Sequence, residues 1–548
     1  MTRSAALLAL FLLAGCGTPP PAEPPPPPPG PAEDEIAVGA VTAHVRLLSH
    51  DLLEGRGPAT RGGDLAAEYI ATQLAVMGVE PAGDEGTYFQ QVPIIESQVD
   101  RNFTLSVPGA SYRYLQDVVA FAGVENPRVH VQGDVVFVGH GIVAPEQNWD
   151  DYAGVDVKGK WVLVMVNDPP ATDAEPDLFA GKALTYYGRW TYKYEEAARQ
   201  GAAGAILIHT DESATYPWQV VQSSWSGAQY SVPPPEGAPA LQIKAWMTDA
   251  AASDLVKRAG RDLNALRNAA LQRGFKPVSL GMRAAATLTQ RTSRRQSPNV
   301  IGKVRGVNDQ QAVVFTSHYD HFGVRAAGPG APADADTIYN GAYDNASGVA
   351  GTLMIAQAMA RAAEPPARSM YFVFTAAEES GLLGAEYWAS RPSLPMDNVV
   401  ANLNIDGLNY LGPTRDLTLL GADRSSLGPM AEALAAERGR TLSPDQYPER
   451  GYFFRSDHFP LAKAGVPALS ISEPREFLGP NAAALREKQQ AYNTTHYHQP
   501  SDEYDPSWDF SGGVEDLRFL AQLAWRIAAL ETPPAYNEGD QFAAPRRR

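Results

Sequence analysis

The chain has 548 residues, 44% of them hydrophobic and 20% charged, with a formal net charge of −17. That length and balance allow a globular protein of two or three domains. A surface this acidic repels phosphate backbones and argues against nucleic-acid binding, and no apolar run beyond the first 15 residues is long enough to span a bilayer.

The chain opens "MTRSAALLALFLLAGCG". Arg3 supplies a positive start, Ala5 to Leu13 an apolar stretch, and Ala14-Gly15 small residues before Cys16. This reads as an export signal over residues 1–15. Cys16 is the only cysteine, and "LAGC" resembles a bacterial lipobox, in which cleavage precedes the Cys and its thiol is lipidated. Several acyl chains on one residue anchor stably where a single chain binds weakly. Gly17 after the Cys, rather than Asp, resembles lipoproteins that travel on to an outer membrane. The expectation is a lipid-anchored envelope protein facing the periplasm; a soluble secreted protein with a chance Cys is the alternative. With one cysteine the fold must be stable without a disulfide. "TPPPAEPPPPPPGPA", from Thr18 to Ala32, reads as a polyproline tether, so residues 16–34 are linker and not fold.

Folded sequence starts near Glu35. "GGDLAAEYIATQLAVMG" places Ala66, Ile70, Leu74 and Met77 on one helical face, with Gly78 as the stop. A second style of sequence begins near Val131. "GDVVFVGHGIVAP" and "KGKWVLVMVND" are strand runs, "KYEEAARQGAAGAILIHT" is a helix, a Gly break and a strand, and "APALQIKAWM" is a strand before a helix near Ala250 to Arg258. This β-rich block, taken as 129–285, looks self-contained and carries no metal-type cluster. From "SPNVIGKV" onward, strands alternate with helices: "QAVVFTS", "SGVAGTLMIAQAMARAA", "SMYFVF", "NVVANLNI", "VPALSIS", and a last helix around Val514 to Glu531. Such alternation argues for an α/β fold, a mixed and largely parallel sheet sandwiched by helices. The expected units are therefore 35–128 and 286–537 for one domain, 129–285 inserted in it, and a tail at 538–548.

Chemistry-bearing residues gather at one edge of that sheet. The strand Ala312 to Thr316 runs into "SHYDHFG", the strand Met370 to Phe374 ends near Glu378-Glu379, the strand Val399 to Ile405 ends at Asp406, and Asp344 in "NGAYDNASG" precedes a helix. Ligands of open α/β sheets collect at the C-terminal ends of strands. Adjacent carboxylates raise each other's pKa and cost stability; taken alone, Glu378-Glu379 reads as a solvated turn. Of ten histidines, five lie beyond Ser297: His318, His321, His458, His496 and His498. A lone His is more often a structural residue, but mixed His and carboxylate donors at one edge suit zinc.

The segments "SHYDH", "GAYDNASG", "AAEESGLLG", "NIDG", "RSDH" and "YHQPSDEYD" resemble, in order, those of the di-zinc metallopeptidases that include leucyl-type aminopeptidases, with glutamate carboxypeptidase, transferrin receptor and glutaminyl cyclase as relatives. The middle block is similar to their inserted protease-associated domain. The resemblance implies two Zn²⁺ per chain: His318 and Asp406 on one, Glu379 and His498 on the other, Asp344 bridging. It further implies Glu378 as general base, Asp320 as the group orienting the His318 imidazole, Tyr497 as a donor to the oxyanion, and Arg455 as a substrate contact. The implied activity is a zinc-dependent exopeptidase on peptide substrates, an aminopeptidase first, with a carboxypeptidase, a glutaminyl cyclase or a non-enzymatic receptor as rivals. Four metal charges against three carboxylates leave a cationic site that lowers the pKa of a bound water and offsets the paired glutamates.

Overall fold

The computed structural model describes residues 30–214, 216–327 and 332–543. The export signal, Cys16, residues 18–29 of the proline tether and residues 544–548 of the tail lie outside them. Among the described residues no helix is long and apolar enough to cross a membrane.

Two sheets share one long strand. The first sheet is built from β1 (Phe89–Val99), β2 (Val278–Val304), β3 (Asn308–His318), β4 (Arg368–Thr375), β5 (Val399–Asn404), β6 (Asp416–Leu420) and β7 (Ala468–Ser472). Its order is β1-β2-β4-β3-β5-β7-β6, and the central β4, β3, β5 and β7 are mutually parallel while β1 and β2 run antiparallel to their neighbours in this order and β6 runs antiparallel to β7. Every residue of β4 and of β5 is buried, as expected of parallel strands covered on both faces.

One face carries the helices Val38–Leu48, Arg61–Met77, Gly348–Ala360 and Ser511–Ala529, whose apolar residues share a core with Val313, Phe315 and Phe372. Arg61–Met77 buries Ala66, Ile70, Leu74 and Met77, as their spacing predicts, and ends on Gly78 at φ +79°. The Thr60 side chain caps its start by accepting from the Gly63 N–H at 3.3 Å. Truncating a side chain as buried as Leu74 typically costs about 2–5 kcal/mol. The other face carries Leu383–Ser390 and His458–Lys463, through Trp388 and Leu461. The sheet is thus sandwiched, and its parallel strands deliver their C-terminal ends to one edge.

The second sheet contains Ala110–Arg113, Thr104–Val107, the first half of β2, Arg128–Phe137, Trp161–Met165, Gly204–His209, Ile243–Thr248 and Val118–Ala122, in that order. It starts upstream of residue 129, because the hairpin from Thr104 pairs with β2 and buries Phe103 and Leu105 in the same core as Val129 and Val131. It also runs past residue 285: Thr289 still pairs with Arg128 before β2 crosses to β1 at Gln290. Three of its strand pairings are parallel and helices such as Trp190–Arg199 and Asp249–Arg258 cover it, so this unit is mixed α/β and not purely β.

The two units meet through aromatics. Tyr186, Tyr187, Tyr192 and Phe179 of the second pack with Phe453, Phe454 and Phe459 of the first, and Lys463 reaches Glu195 at 3.1 Å across the seam.

Candidate metal centre

β3 ends at His318. The carbonyl of Asp320 lies 3.1 Å from His318 Nδ1. A carbonyl can only accept, so Nδ1 carries a proton and Nε2 is the nitrogen turned towards the carboxylates. Burial opposes the charged imidazole, but the carboxylate charges outweigh it and hold His318 well above its ordinary pKa. That Nε2 lies 3.2 Å from Asp344 Oδ1 and 3.2 Å from Asp406 Oδ1. On the other side of Asp344, Oδ2 lies 3.5 Å from His498 Nε2, which is 3.2 Å from Glu379 Oε2. One carboxylate is therefore shared by two imidazoles, each of which faces a further carboxylate. Donor atoms of His318, Asp344 and Glu379, and separately of His318, Glu378 and Asp406, lie within 4.8 Å of one another. All five residues singled out as ligands are brought together.

The loops that place them are braced by polar side chains. Asn345 accepts from the Gly348 and Gly407 N–H groups at 2.9 and 2.8 Å and donates to the Ile405 carbonyl at 3.0 Å, tying the Asp344 loop to the end of β5. Asp502 accepts from the N–H groups of Tyr343 and Asp344 and from the Tyr492 hydroxyl. Arg56, fully buried beneath the cluster, donates to the carbonyls of Tyr319, Leu48, Asn340 and Gly341. Gly384 is required after the glutamate pair, because a Cβ there would meet the Ala376 carbonyl oxygen at 2.4 Å. Ala377, just before the glutamate pair, and His498, within the cluster, lie at φ 57° and 56°, a region that disfavours side chains and that recurs at functional sites.

The electrostatics of the cluster suit a cation. Burial pushes the Glu379 carboxyl up to about 7, with the Asp344 charge adding to it. Burial and the charges of Glu379 and Asp406 hold Glu378 well above the ordinary range, against the pull of His318. Burial would lower His498, but its bonds to Asp344 and Glu379 lift it to about 9. His321 adds a sharper sign. Its Nδ1 lies 3.0 Å from the Tyr339 carbonyl, which leaves a lone pair on Nε2, and burial lowers its pKa to about 3, so it stays neutral. That lone pair faces Glu379 Oε1 at 3.5 Å, and neither buried atom has a hydrogen-bond partner. Two facing lone pairs repel, and either a proton on Glu379 or a metal cation between the two atoms relieves this. The donor set, imidazole nitrogen with carboxylate oxygen, fits zinc.

Asp320 is buried beside the cluster, but its carboxylate is 4.0 Å from His318 and instead accepts the Glu378 N–H at 3.0 Å. The imidazole is oriented by the Asp320 carbonyl, and the carboxylate fixes the glutamate loop. Tyr497 stacks on His498 with ring centroids 3.7 Å apart and is 44% exposed. Arg455 is exposed on the loop before His458–Lys463. His458 is buried against the Phe453 ring, and His496 is exposed beside Ser501. Asn345, Asp502, Arg56 and the His321–Glu379 contact were not singled out from sequence; Asn345 and Asp502 do lie within the quoted segments "GAYDNASG" and "YHQPSDEYD".

Residues 299–519 match Peptidase family M28. Among solved structures the chain is similar to an aminopeptidase from Aneurinibacillus sp. strain AM-1 (17% identity, 90% of this chain and 95% of that one, TM-score 0.46). It is also similar to a zinc aminopeptidase from Bacillus subtilis (18%, 89% and 93%, TM-score 0.40) and to a peptidase M28 precursor from Shewanella amazonensis SB2B (18%, 92% and 97%, TM-score 0.39).

Proposed function

We propose that this chain, which carries a Peptidase family M28 domain over residues 299–519, is a di-zinc aminopeptidase that removes N-terminal residues from peptides. The observation that carries the reading is Asp344, whose two oxygens face the Nε2 atoms of His318 and His498 at 3.2 and 3.5 Å. His318 and Asp406 would hold one zinc, Glu379 and His498 the other, with Asp344 between them. Bound there, zinc would supply a Lewis acid and lower the pKa of a water.

The chain's own residues supply the rest. The Glu378 carboxyl lies with His318 and Asp406, and its backbone is pinned to Asp320. Its raised proton affinity suits a group that takes a proton from the attacking water and returns it to the leaving amine. The Tyr497 hydroxyl, at the exposed edge of His498, is available to donate to the substrate carbonyl oxygen as negative charge develops. The second unit, joined to the first through the aromatic seam, would flank the cleft as a protease-associated domain does and restrict large substrates.

The test is hydrolysis of a leucyl-anilide, of its amino-blocked counterpart and of amino-blocked dipeptides by purified protein. Zinc-dependent release from the free-amino substrate alone supports an aminopeptidase. Release only from blocked dipeptides with free C-termini would turn the reading to a carboxypeptidase.

A further inference from the structure

After the last long helix, Ser511–Ala529, the chain turns back, and residues 535–543 run to the joint between the two units. The backbone is stitched to the turn at 423–426. Ser426 donates its N–H to the Ala535 carbonyl at 3.0 Å, and Asn537 donates its N–H to the Arg424 carbonyl at 2.9 Å and its side-chain amide to the Asp423 carbonyl at 2.8 Å. The Tyr536 hydroxyl donates to the carbonyl of Val466, just before β7, at 2.8 Å. Residues 538–543 of the expected tail are thus seated on the fold. All of this segment lies beyond residues 299–519, which match the family.

Two of its side chains meet the loop that leads into the metal cluster. Phe542 is buried with Phe453, Phe454 and Phe459 of the first unit and Tyr186 of the second. Its ring centroid lies 6.5 Å from Phe453, 6.1 Å from Phe459 and 6.4 Å from Tyr186. Asp540 pairs with Arg424 at 2.8 Å, both mostly enclosed. The Arg424 guanidinium in turn lies 4.9 Å from the Phe453 centroid and 5.1 Å from that of Phe542. A guanidinium within about 6 Å of an aromatic ring is attracted to it, and an enclosed cation needs a counter-charge. Asp540 supplies that charge and so keeps Arg424 beside the two rings.

Phe453 starts the route to the cluster. Its ring centroid lies 4.8 Å from that of His458. Between these two residues the loop reaches the strand ends: Asn404 donates to Ser456 Oγ at 2.9 Å, and Thr375 donates to Asp457 Oδ2 at 2.6 Å. β5 leads from Asn404 to Asp406, and β4 leads from Thr375 to Glu378. Arg455 is carried by the same loop.

We propose that Asp540 and Phe542 are positioning residues for the peptidase site, an inference that rests on the reading above. The C-terminal segment straps the second unit to the loop 451–457 and fixes where that loop meets substrate. Both side chains act through the loop and not on the reacting atoms.

The experiment uses the full zinc-loaded protein with Asp540→Asn, Asp540→Glu and Phe542→Ala, and Phe179→Ala as a control. Phe179 belongs to the same aromatic cluster but packs on Trp149 and Tyr187 within the second unit. Hydrogen exchange reads the loop directly, whatever the activity. The amides of Phe454 and Arg455, each bonded within the loop, should exchange at least about tenfold faster in Asp540→Asn and Phe542→Ala, and at the wild-type rate in Phe179→Ala. On a leucyl tripeptide the KM of the two strap variants should rise at least about fivefold, with kcat within about twofold and zinc content unchanged. Asp540→Glu, which keeps the charge, should restore most of both. If Phe542→Ala does not fold, Asp540→Asn, which keeps the size of the side chain, decides. Loop exchange at the wild-type rate, an unchanged KM, or a KM that rises as far in Phe179→Ala, overturns the proposal. Faster loop exchange in a protein whose wild type hydrolyses no peptide would sink the peptidase reading and leave the hold of the strap on the loop standing.

Discussion

The backbone N–H of Glu378 donates to Asp320 Oδ1 at 3.0 Å, so the loop after β3 holds the loop after β4 in register. One side chain thereby fixes the glutamate pair, whose members face different partners: Glu379 meets His498 and His321, and Glu378 lies with His318 and Asp406.

Glu378→Gln keeps the shape of the side chain and every proposed ligand but removes the proton acceptor. Zinc content should stay near normal while kcat falls by roughly 10²–10⁴-fold. Asp320→Ala releases the Glu378 amide and should lower activity by about 10–100-fold, the scale for groups that orient a site without touching the metal. Glu379→Gln should instead lose zinc. Metal analysis and kcat on the three proteins check this; a Glu378→Gln protein that loses zinc while Glu379→Gln keeps it would reverse the roles.

Asp344 is shared by both imidazoles, whereas His498 touches one half of the cluster only. Dialysed wild-type protein should retain close to two zinc equivalents, by the di-zinc reading. Asp344→Ala should release both, and His498→Ala should release one. Both variants should be inactive, with partial rescue of His498→Ala by added zinc. Full zinc content in Asp344→Ala would remove it from the bridging position.

The parts of this molecule set by local pattern were legible in its sequence. Ala66, Ile70, Leu74 and Met77 repeat at helical spacing and are buried together. His318 and Asp406 follow apolar runs that proved to be buried parallel strands. What depends on distant contacts was not legible. The His321–Glu379 contact joins two loops, and Asp502 braces a segment 158 residues upstream. The edge at residue 129 differs for the same reason: the hairpin from Thr104 chooses its sheet by pairing with β2, far along the chain.

Cys16 lies outside the described residues, and its proposed lipidation rests on the "LAGC" segment alone. Cys16→Ala should move the protein from membrane to soluble fractions in cells that process lipoproteins, with the activity of the released protein unchanged. Continued sedimentation with membranes would show that something other than Cys16 holds it there.

His44 gives the fold a pH dependence independent of the metal cluster. It is buried in the helix Val38–Leu48, its Nδ1 lies 2.8 Å from the Tyr69 hydroxyl, and burial lowers its pKa from 6.5 to about 4. The folded protein therefore binds fewer protons at this residue than the unfolded chain does. By linkage its contribution is full above about pH 6.5, falls as the pH drops below that value, and is exhausted near pH 4. At 1.36 kcal/mol per pKa unit, the loss across that window is on the order of 3 kcal/mol. His44→Gln can keep a hydrogen bond to Tyr69 but cannot titrate in this range. Its urea midpoint should match the wild type or lie slightly below it at pH 7.5, and exceed it at pH 5. The other buried histidines, His140, His209, His318, His321 and His458, are common to both proteins and cancel in the comparison. Parallel stability curves for the two proteins between pH 7.5 and pH 4.5 would mean that His44 takes up its proton without disturbing the fold.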